Sequence, residues 1–169
     1  MDATGRPIIA KPPRNVLHAA ALVLVVALAT ILTALGFEHL GGYVPCPLCL
    51  EERYAYYFAI PVAALAVLLV RGENPGAARI LLAAIALAFL ANVGLAVFHA
   101  GVEWKWWPGP TECTGAFDLQ WGQGGVVDTP VIRCDEASFR FLGLSFAGWD
   151  ALVSVFLAGA ALWGAAHRR

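Results

Sequence analysis

Charged residues are scarce in this sequence. Lysine, arginine, aspartate and glutamate make up 14% of its 169 residues, whereas a typical soluble domain has about 25%. Apolar residues make up 60%, and the mean hydropathy is +0.70. A chain with so few charges cannot cover a core of that size with polar surface. The composition therefore excludes an ordinary soluble domain and indicates a protein embedded in lipid.

Basic residues and cysteines are also few. The 11 lysines and arginines are balanced by 12 acidic residues, which gives a net charge of -1. No basic excess is available to neutralise phosphates, so we expect no nucleic-acid partner. Four cysteines are too few for a small disulfide-framework protein, in which disulfides replace a missing core. The cysteines are therefore available for chemistry.

Four apolar runs are long enough to cross a bilayer, whose hydrocarbon core of about 30 Å requires roughly 20 helical residues. They cover residues 16–36, 54–70, 80–98 and 141–166. The turn at residues 71–79 contains Gly and Pro and predicts an antiparallel hairpin. We predict an all-α integral membrane protein with one domain, residues 1–169. Its four-helix transmembrane bundle carries two outer loops, at about 37–53 and 99–140.

The lysines and arginines are divided unevenly between the two sides of this bundle. Seven lie in the termini and the short turn, and four lie in the outer loops. Because basic segments remain in the cytoplasm, we predict that both termini are cytoplasmic. A cleaved signal peptide is the alternative for the first run, which follows Arg6, Lys11 and Arg14. That run exceeds the 7–15 apolar residues usual in signal peptides, which favours an uncleaved helix.

All four cysteines fall on the outer side of the predicted bundle. Cys46 and Cys49 lie in the first outer loop, and Cys113 and Cys134 lie in the second. With cytoplasmic termini, this side faces an oxidising compartment, in which disulfides persist and thiol–disulfide exchange proceeds. The two pairs suggest a relay.

The Cys46-Pro-Leu-Cys49 motif comes directly before the second apolar run. Pro47 suits the first position of a helix, so we predict that Cys46 caps it and that the helix dipole favours a thiolate there. Arg53 follows Cys49 by one turn and adds a positive charge on the same face. We expect Glu51 and Glu52 to point away from that face.

Four other interpretations of these residues remain open. A C-x-x-C motif can be half of a zinc site, but Cys113 and Cys134 are 21 positions apart and form no second motif, so we expect no metal. A static disulfide between them would leave the first motif unexplained. His39 and His99, at the outer helix ends, could bind haem, but the cysteines would then have no role. A non-catalytic scaffold is the fourth possibility.

The sequence resembles the disulfide bond formation protein B (DsbB) family of bacterial inner-membrane enzymes across its four helices and both outer loops. The resemblance rests on a set of motifs: Cys46-Pro-Leu-Cys49 with Glu52-Arg53, His99-Ala-Gly-Val-Glu-Trp104, Trp107-Pro-Gly-Pro-Thr-Glu-Cys113, and Cys134-Asp-Glu followed by Phe141-Leu-Gly-Leu-Ser145. Two residues depart from the family pattern. Glu52 often corresponds to Gln, and Lys105 adds a charge beside the tryptophans.

The resemblance implies a thiol:quinone oxidoreductase in the inner membrane, with its cysteines in the periplasm. A soluble DsbA-like thiol oxidase would attack a Cys113–Cys134 disulfide and join Cys113. Cys134 would then attack a Cys46–Cys49 disulfide at Cys46 and release Cys49 to reduce a quinone, either ubiquinone or menaquinone.

Two further residues are implied to bind the quinone. Arg53 would polarise a quinone carbonyl, with snorkelling to the lipid headgroups as the alternative. His99 would lie near the quinone ring, with an interfacial histidine without chemistry as the alternative. We expect Trp104, Trp106 and Trp107 to anchor the second outer loop in the membrane interface.

Overall fold

The computed structural model describes residues 14–110 and 133–166. Its four long helices are α1 (Arg14–His39), α2 (Pro47–Arg71), α3 (Pro75–Glu103) and α4 (Phe146–Ala166). Each is long and apolar enough to cross a membrane. The predicted fold class, an all-α membrane protein with four spans, is confirmed, and the chain is a multi-pass membrane protein.

The helices pack side by side in the order α1, α2, α3, α4, and α4 closes the ring against α1. Small residues fill much of the core, including Ala20, Ala63 and Ala86, which are fully buried. Gly164 of α4 meets α1 closely, because a Cβ atom there would lie 2.4 Å from Cβ of Ala19. Small residues allow such close approach, which replaces the hydrophobic effect as the source of helix association in lipid.

The helices differ from the predicted apolar runs mainly at their outer ends. α2 begins seven residues before the predicted start at residue 54, and α3 continues to Glu103 rather than ending at residue 98. Polar residues of the site therefore stand on regular helix. The fourth helix begins at Phe146, not at residue 141.

A short hairpin precedes α4 and explains its late start. Strands β1 (Arg140–Phe141) and β2 (Leu144–Ser145) pair antiparallel. Between them Leu142 has φ 52° and Gly143 has φ 84°. These left-handed conformations make the tight turn of a hairpin and interrupt a helix. The apolar residues 141–144 had indicated continuous helix.

Candidate redox site and apolar cavity

The first turn of α2 holds Cys46 and Cys49 together. Cys46 is the N-cap, as predicted, and its Sγ accepts a hydrogen bond from the backbone N–H of Cys49 at 3.2 Å, with Pro47 next in the chain. The two sulfurs are 2.6 Å apart and both cysteines are free. Because a disulfide has an S–S distance of about 2.05 Å, little movement is needed to join them.

The thiol of Cys46 is the more acidic end of the pair. Hydrogen bonds from the Cys49 thiol and backbone N–H lower the pKa of Cys46, although burial and the negative charges of nearby glutamates oppose this effect. A thiolate is the reactive form of cysteine. The reduced pair is therefore arranged with Cys46 as the nucleophile.

His99 lies against Cys46 and is buried, with 1% of its surface exposed. Its Nε2 is 3.5 Å from Cys46 Sγ, and its Nδ1 donates a hydrogen bond to Glu52 Oε1 at 2.8 Å. Glu52, expected to point away, is instead buried and orients the imidazole. A thiol, an imidazole and a carboxylate in this order form the arrangement used to activate nucleophiles. His39 is exposed whereas His99 is buried, so these two histidines do not form a buried pair that could hold a haem between them.

Cys134 packs against the same pair. It is 1% exposed, forms a disulfide, and belongs to a small buried cluster with Cys46 and Leu48. Cys113 lies outside the described residues. The structure thus brings together three of the four predicted cysteines, from segments about 85 residues apart in the sequence.

An ion-pair network holds the chain next to Cys134. Arg133 donates two hydrogen bonds of 2.9 Å to Asp135, and the Lys105 ammonium contacts the same carboxylate. These cations, Arg133 first, hold the pKa of Asp135 below its usual range. Lys105, noted in the sequence as a departure near the tryptophans, therefore ties the end of α3 to the segment that carries Cys134.

On its other side, Cys49 opens onto a cavity of about 730 Å³. Such a volume is typical of small-molecule sites. The cavity lies among α1, α2, α4 and the segment before α4. Four aromatic rings pack edge to face or tilted at one part of its wall, and they belong to Phe37, Tyr43, Phe139 and Phe146.

Polar groups are few in the cavity wall and are mostly paired. Arg53 forms an ion pair with Glu38 at 2.6 Å, so it is engaged within the bundle. Cys49 and Glu52 lie in the same wall. Cys46 and His99 are not among the described residues that line it. The structure therefore places Arg53 at the cavity and His99 at Cys46.

A second polar cluster borders the cavity further along the helices. The carboxylate of Asp150 in α4 accepts hydrogen bonds from Tyr56 Oη at 2.5 Å and from Asn92 Nδ2 at 2.9 Å. Asn92 also donates to Ser154 at 3.0 Å. Three helices are thereby joined through one acid inside the bundle.

The three tryptophans at the end of α3 lie at the surface. Trp104, Trp106 and Trp107 are exposed and contact one another edge to face. Trp107 also donates a hydrogen bond to the carbonyl of Phe98 at 2.9 Å. Gly101 is needed below it, because a Cβ atom there would come within 2.0 Å of the indole ring. Their role as a membrane anchor stays a prediction.

Sequence patterns did not identify Glu38, Glu52, Glu103, Tyr56 or Asn92. Glu103 is 8% exposed and its Oε1 is 3.9 Å from His99 Nε2. A signal was present for this residue, since Glu103 follows His99 by four positions and such residues share a helix face. The contact between His99 and Glu52 joins positions 47 apart, for which the local sequence gives no signal.

Comparison with known proteins agrees with the site. The family described as "Disulfide bond formation protein DsbB" matches residues 16–164. The chain is 31% identical over 138 residues to a disulfide bond formation protein B of Aromatoleum aromaticum, covering 78% of this chain and 81% of the relative. The corresponding protein of Marinobacter nauticus is 34% identical over 137 residues, covering 78% and 80%.

A third relative matches over a longer stretch. The disulfide bond formation protein B of a Polaromonas species is 30% identical over 164 residues, covering 86% of each chain. No solved structure matches the chain.

Proposed function

Because the chain belongs to the DsbB family of disulfide bond formation proteins, we propose that it reoxidises a periplasmic DsbA-like thiol oxidase and passes the electrons to a membrane quinone. The observation that carries this proposal is the two-sided environment of the Cys46–Cys49 pair. Cys46 lies in one buried cluster with Cys134, and Cys49, which packs against that cluster, also borders an apolar cavity. Thiol exchange with Cys134 can therefore take place at Cys46, and electrons can leave from Cys49 toward the cavity.

The relay begins on the second outer loop. A thiolate of the partner attacks the Cys113–Cys134 disulfide, joins Cys113 and releases Cys134 as a thiolate. The second partner thiol then displaces Cys113, which leaves the partner oxidised and both loop cysteines reduced. Alternatively, Cys134 first attacks Cys46 Sγ, breaks the Cys46–Cys49 bond and frees Cys49. Either order conserves one disulfide per exchange.

The closing step restores the Cys46–Cys49 disulfide. Once Cys113 and Cys134 have re-formed their own bond, both thiols of α2 are reduced. Bond formation between Cys46 Sγ and Cys49 Sγ would release two electrons and two protons, and a quinone held in the cavity beside Cys49 would accept them. His99 Nε2 faces Cys46 Sγ and holds its proton, and Glu52 fixes the imidazole. Two thiols lose two electrons and two protons, and a quinone gains both and becomes a quinol.

The cavity has the chemistry that a quinone requires. Its aromatic and aliphatic wall suits a flat ring with an apolar tail. A quinone has this shape, and it accepts two electrons within the membrane. Glu38 holds the Arg53 guanidinium in the cavity wall beside Cys49. In this position Arg53 does not snorkel to the lipid headgroups. A fixed cation there stabilises negative charge that develops on a carbonyl oxygen.

The test is quinone reduction by the purified protein. Reduced DsbA-like partner and a soluble quinone are mixed with the protein, and the quinone absorbance is followed. We expect turnover that Cys49→Ala abolishes. Arg53→Met should lower the rate about tenfold or more, which corresponds to roughly 1.4 kcal/mol of transition-state stabilisation.

Arg71→Met is the matched control, because Arg71 is an exposed residue at the far end of the same helix. It should leave the rate unchanged. Exchange of Cys113 with the partner should survive in Arg53→Met, since that step needs no quinone. Absence of quinone reduction by the unaltered protein contradicts the proposal, and an unchanged rate in Arg53→Met contradicts the role of Arg53 alone.

A further inference from the structure

Three potential metal ligands meet at the reduced cysteine pair. The ligand atoms of Cys46, Cys49 and His99 all lie within 4.8 Å of one another, and Cys46 and His99 are buried. The C-x-x-C spacing supplied only half of a metal site. The third ligand comes from α3 and is 50 positions from Cys49 in the sequence.

The distances suit a tetrahedral ion. With Zn–S and Zn–N bonds of about 2.3 and 2.05 Å, a sulfur and a nitrogen on one ion are about 3.6 Å apart. Cys46 Sγ and His99 Nε2 are 3.5 Å apart. Two sulfurs on one ion are about 3.8 Å apart, so the present 2.6 Å separation requires Cys49 to rotate outward by roughly 1 Å. Cys49 borders the cavity, which leaves room for that rotation.

The surroundings of His99 have the form of a metal-bound histidine. Glu52 accepts from Nδ1 at 2.8 Å, which leaves Nε2 directed at the sulfurs. Carboxylates orient metal-binding imidazoles in this way, and their loss commonly lowers affinity 10–100-fold.

Glu103 lies next to the three ligands but outside the set of atoms within 4.8 Å of one another, so its carboxylate reaches the ion as a fourth ligand only after its side chain rotates. Its Oε1 is 3.9 Å from His99 Nε2, and its Oε2 is buried with no hydrogen-bond partner among residues 14–110 and 133–166. An unpaired buried carboxylate oxygen is costly. A cation at this position would satisfy it.

The charge balance also favours a cation. Glu52 and Glu103 face the pair from α2 and α3, and the nearby Arg53 is already matched by Glu38. Reduction adds two ionisable thiols to this group. His99 is the one basic side chain that the structure shows in contact with both glutamates and Cys46.

We propose that the reduced protein binds one thiophilic divalent cation, Zn²⁺ or Cd²⁺, through Cys46, Cys49, His99 and Glu103. Binding displaces the thiol protons and transfers no electrons. It occupies both sulfurs, so it prevents their oxidation until the ion leaves. Formation of the Cys46–Cys49 disulfide removes two ligands and abolishes the site. The affinity therefore depends on the redox state, and the ion acts as an inhibitor of electron exit.

Cadmium titration tests this inference in the full-length protein carrying Cys113→Ser and Cys134→Ser, which leaves one cysteine pair. After reduction and removal of the reductant, Cd²⁺ should produce the ultraviolet thiolate-to-cadmium absorption band with one equivalent bound. The oxidised protein should produce none. Glu103→Gln, which preserves shape, should weaken binding at least tenfold, as should His99→Ala. Glu136→Gln, at an exposed position outside the cluster, should have no effect.

Binding that is equal in the oxidised protein, or unaffected by both His99→Ala and Glu103→Gln, overturns the inference. Helicity measured by circular dichroism identifies a variant that has lost its fold. If His99→Ala is unfolded, the cadmium affinity of Glu103→Gln decides whether the inference holds. The result is independent of the proposed function. Quinone reduction without cadmium binding contradicts only the proposed metal site. Cadmium binding without quinone reduction contradicts only the proposed oxidoreductase function.

Discussion

At the scale of single residues, the chemistry depends on the difference between two adjacent sulfurs. Cys46 is the helix cap, contacts His99, shares a buried cluster with Cys134, and has a lowered pKa. Cys49 donates a hydrogen bond to it and borders the cavity. One turn of helix thus gives the two cysteines separate neighbours and separate reactivity.

The lowered pKa of Cys46 predicts its alkylation profile. In reduced protein carrying Cys113→Ser and Cys134→Ser, reaction with iodoacetamide should persist below the pH of an ordinary thiol, whose pKa is about 8.5. Adding Cys49→Ala removes the thiol donor, so the midpoint should move to higher pH. Mass spectrometry against pH measures both profiles. An unmoved midpoint would show that Cys49 does not stabilise the thiolate.

At the scale of helices, α4 contains both a tightly packed glycine and an open one. Gly164 is buried against Ala19 of α1, whereas Gly159 has no atom near the position of an added Cβ. Both residues lie in α4. The pair therefore separates the effect of helix contact from the effect of replacing glycine in a helix.

Valine substitutions use this pair as a test. Gly164→Val should destabilise the bundle by about 1–3 kcal/mol, because its side chain meets Ala19 and Leu82. Gly159→Val should be nearly neutral, since nothing opposes it. Thermal unfolding in detergent measures the difference. Equal melting temperatures would mean that α1 and α4 do not pack as described.

The sequence predicted the helices better than it predicted the site. About 20 consecutive apolar residues require a span whatever their neighbours are, so four helices followed directly. The hairpin before α4 was missed because Leu142 and Gly143 differ from helix in backbone angle and not in hydropathy. Cys46, Cys49 and Arg53 lie on one face of a single helix, which their spacing predicts. Their partners Glu38, His99 and Glu103 depend on which helix faces meet.

At the scale of the whole molecule, the two ends of the bundle differ in chemistry. Arg14, Arg71 and Arg79 lie at the end formed by the start of α1 and the α2–α3 turn. Cys46, Cys49, Cys134 and the exposed tryptophans lie at the opposite end. Because basic segments remain in the cytoplasm, the end with these arginines is the one expected to be cytoplasmic, and the orientation stays a prediction.

Cysteine labelling in cells tests that orientation. In a variant without its natural cysteines, Glu136→Cys should react with a membrane-impermeant maleimide applied from the periplasmic side. Glu73→Cys should react only after the inner membrane is opened. Both positions are exposed, so access to the reagent decides the result. Labelling of Glu73→Cys in closed membranes would show that the predicted orientation is wrong.

The contact between α1 and α4 has a gradient of side-chain size. It is made by Gly164 and Ala19 at one end and by the rings of Phe146 and Phe37, 5.1 Å apart, at the other. Small residues let backbones converge and large rings hold them apart, so the two helices form a wedge. The cavity occupies its wide end. The width of the cavity is therefore set partly by residues that do not line it. A larger side chain at position 164 would change the angle between α1 and α4 and so change the width of the cavity.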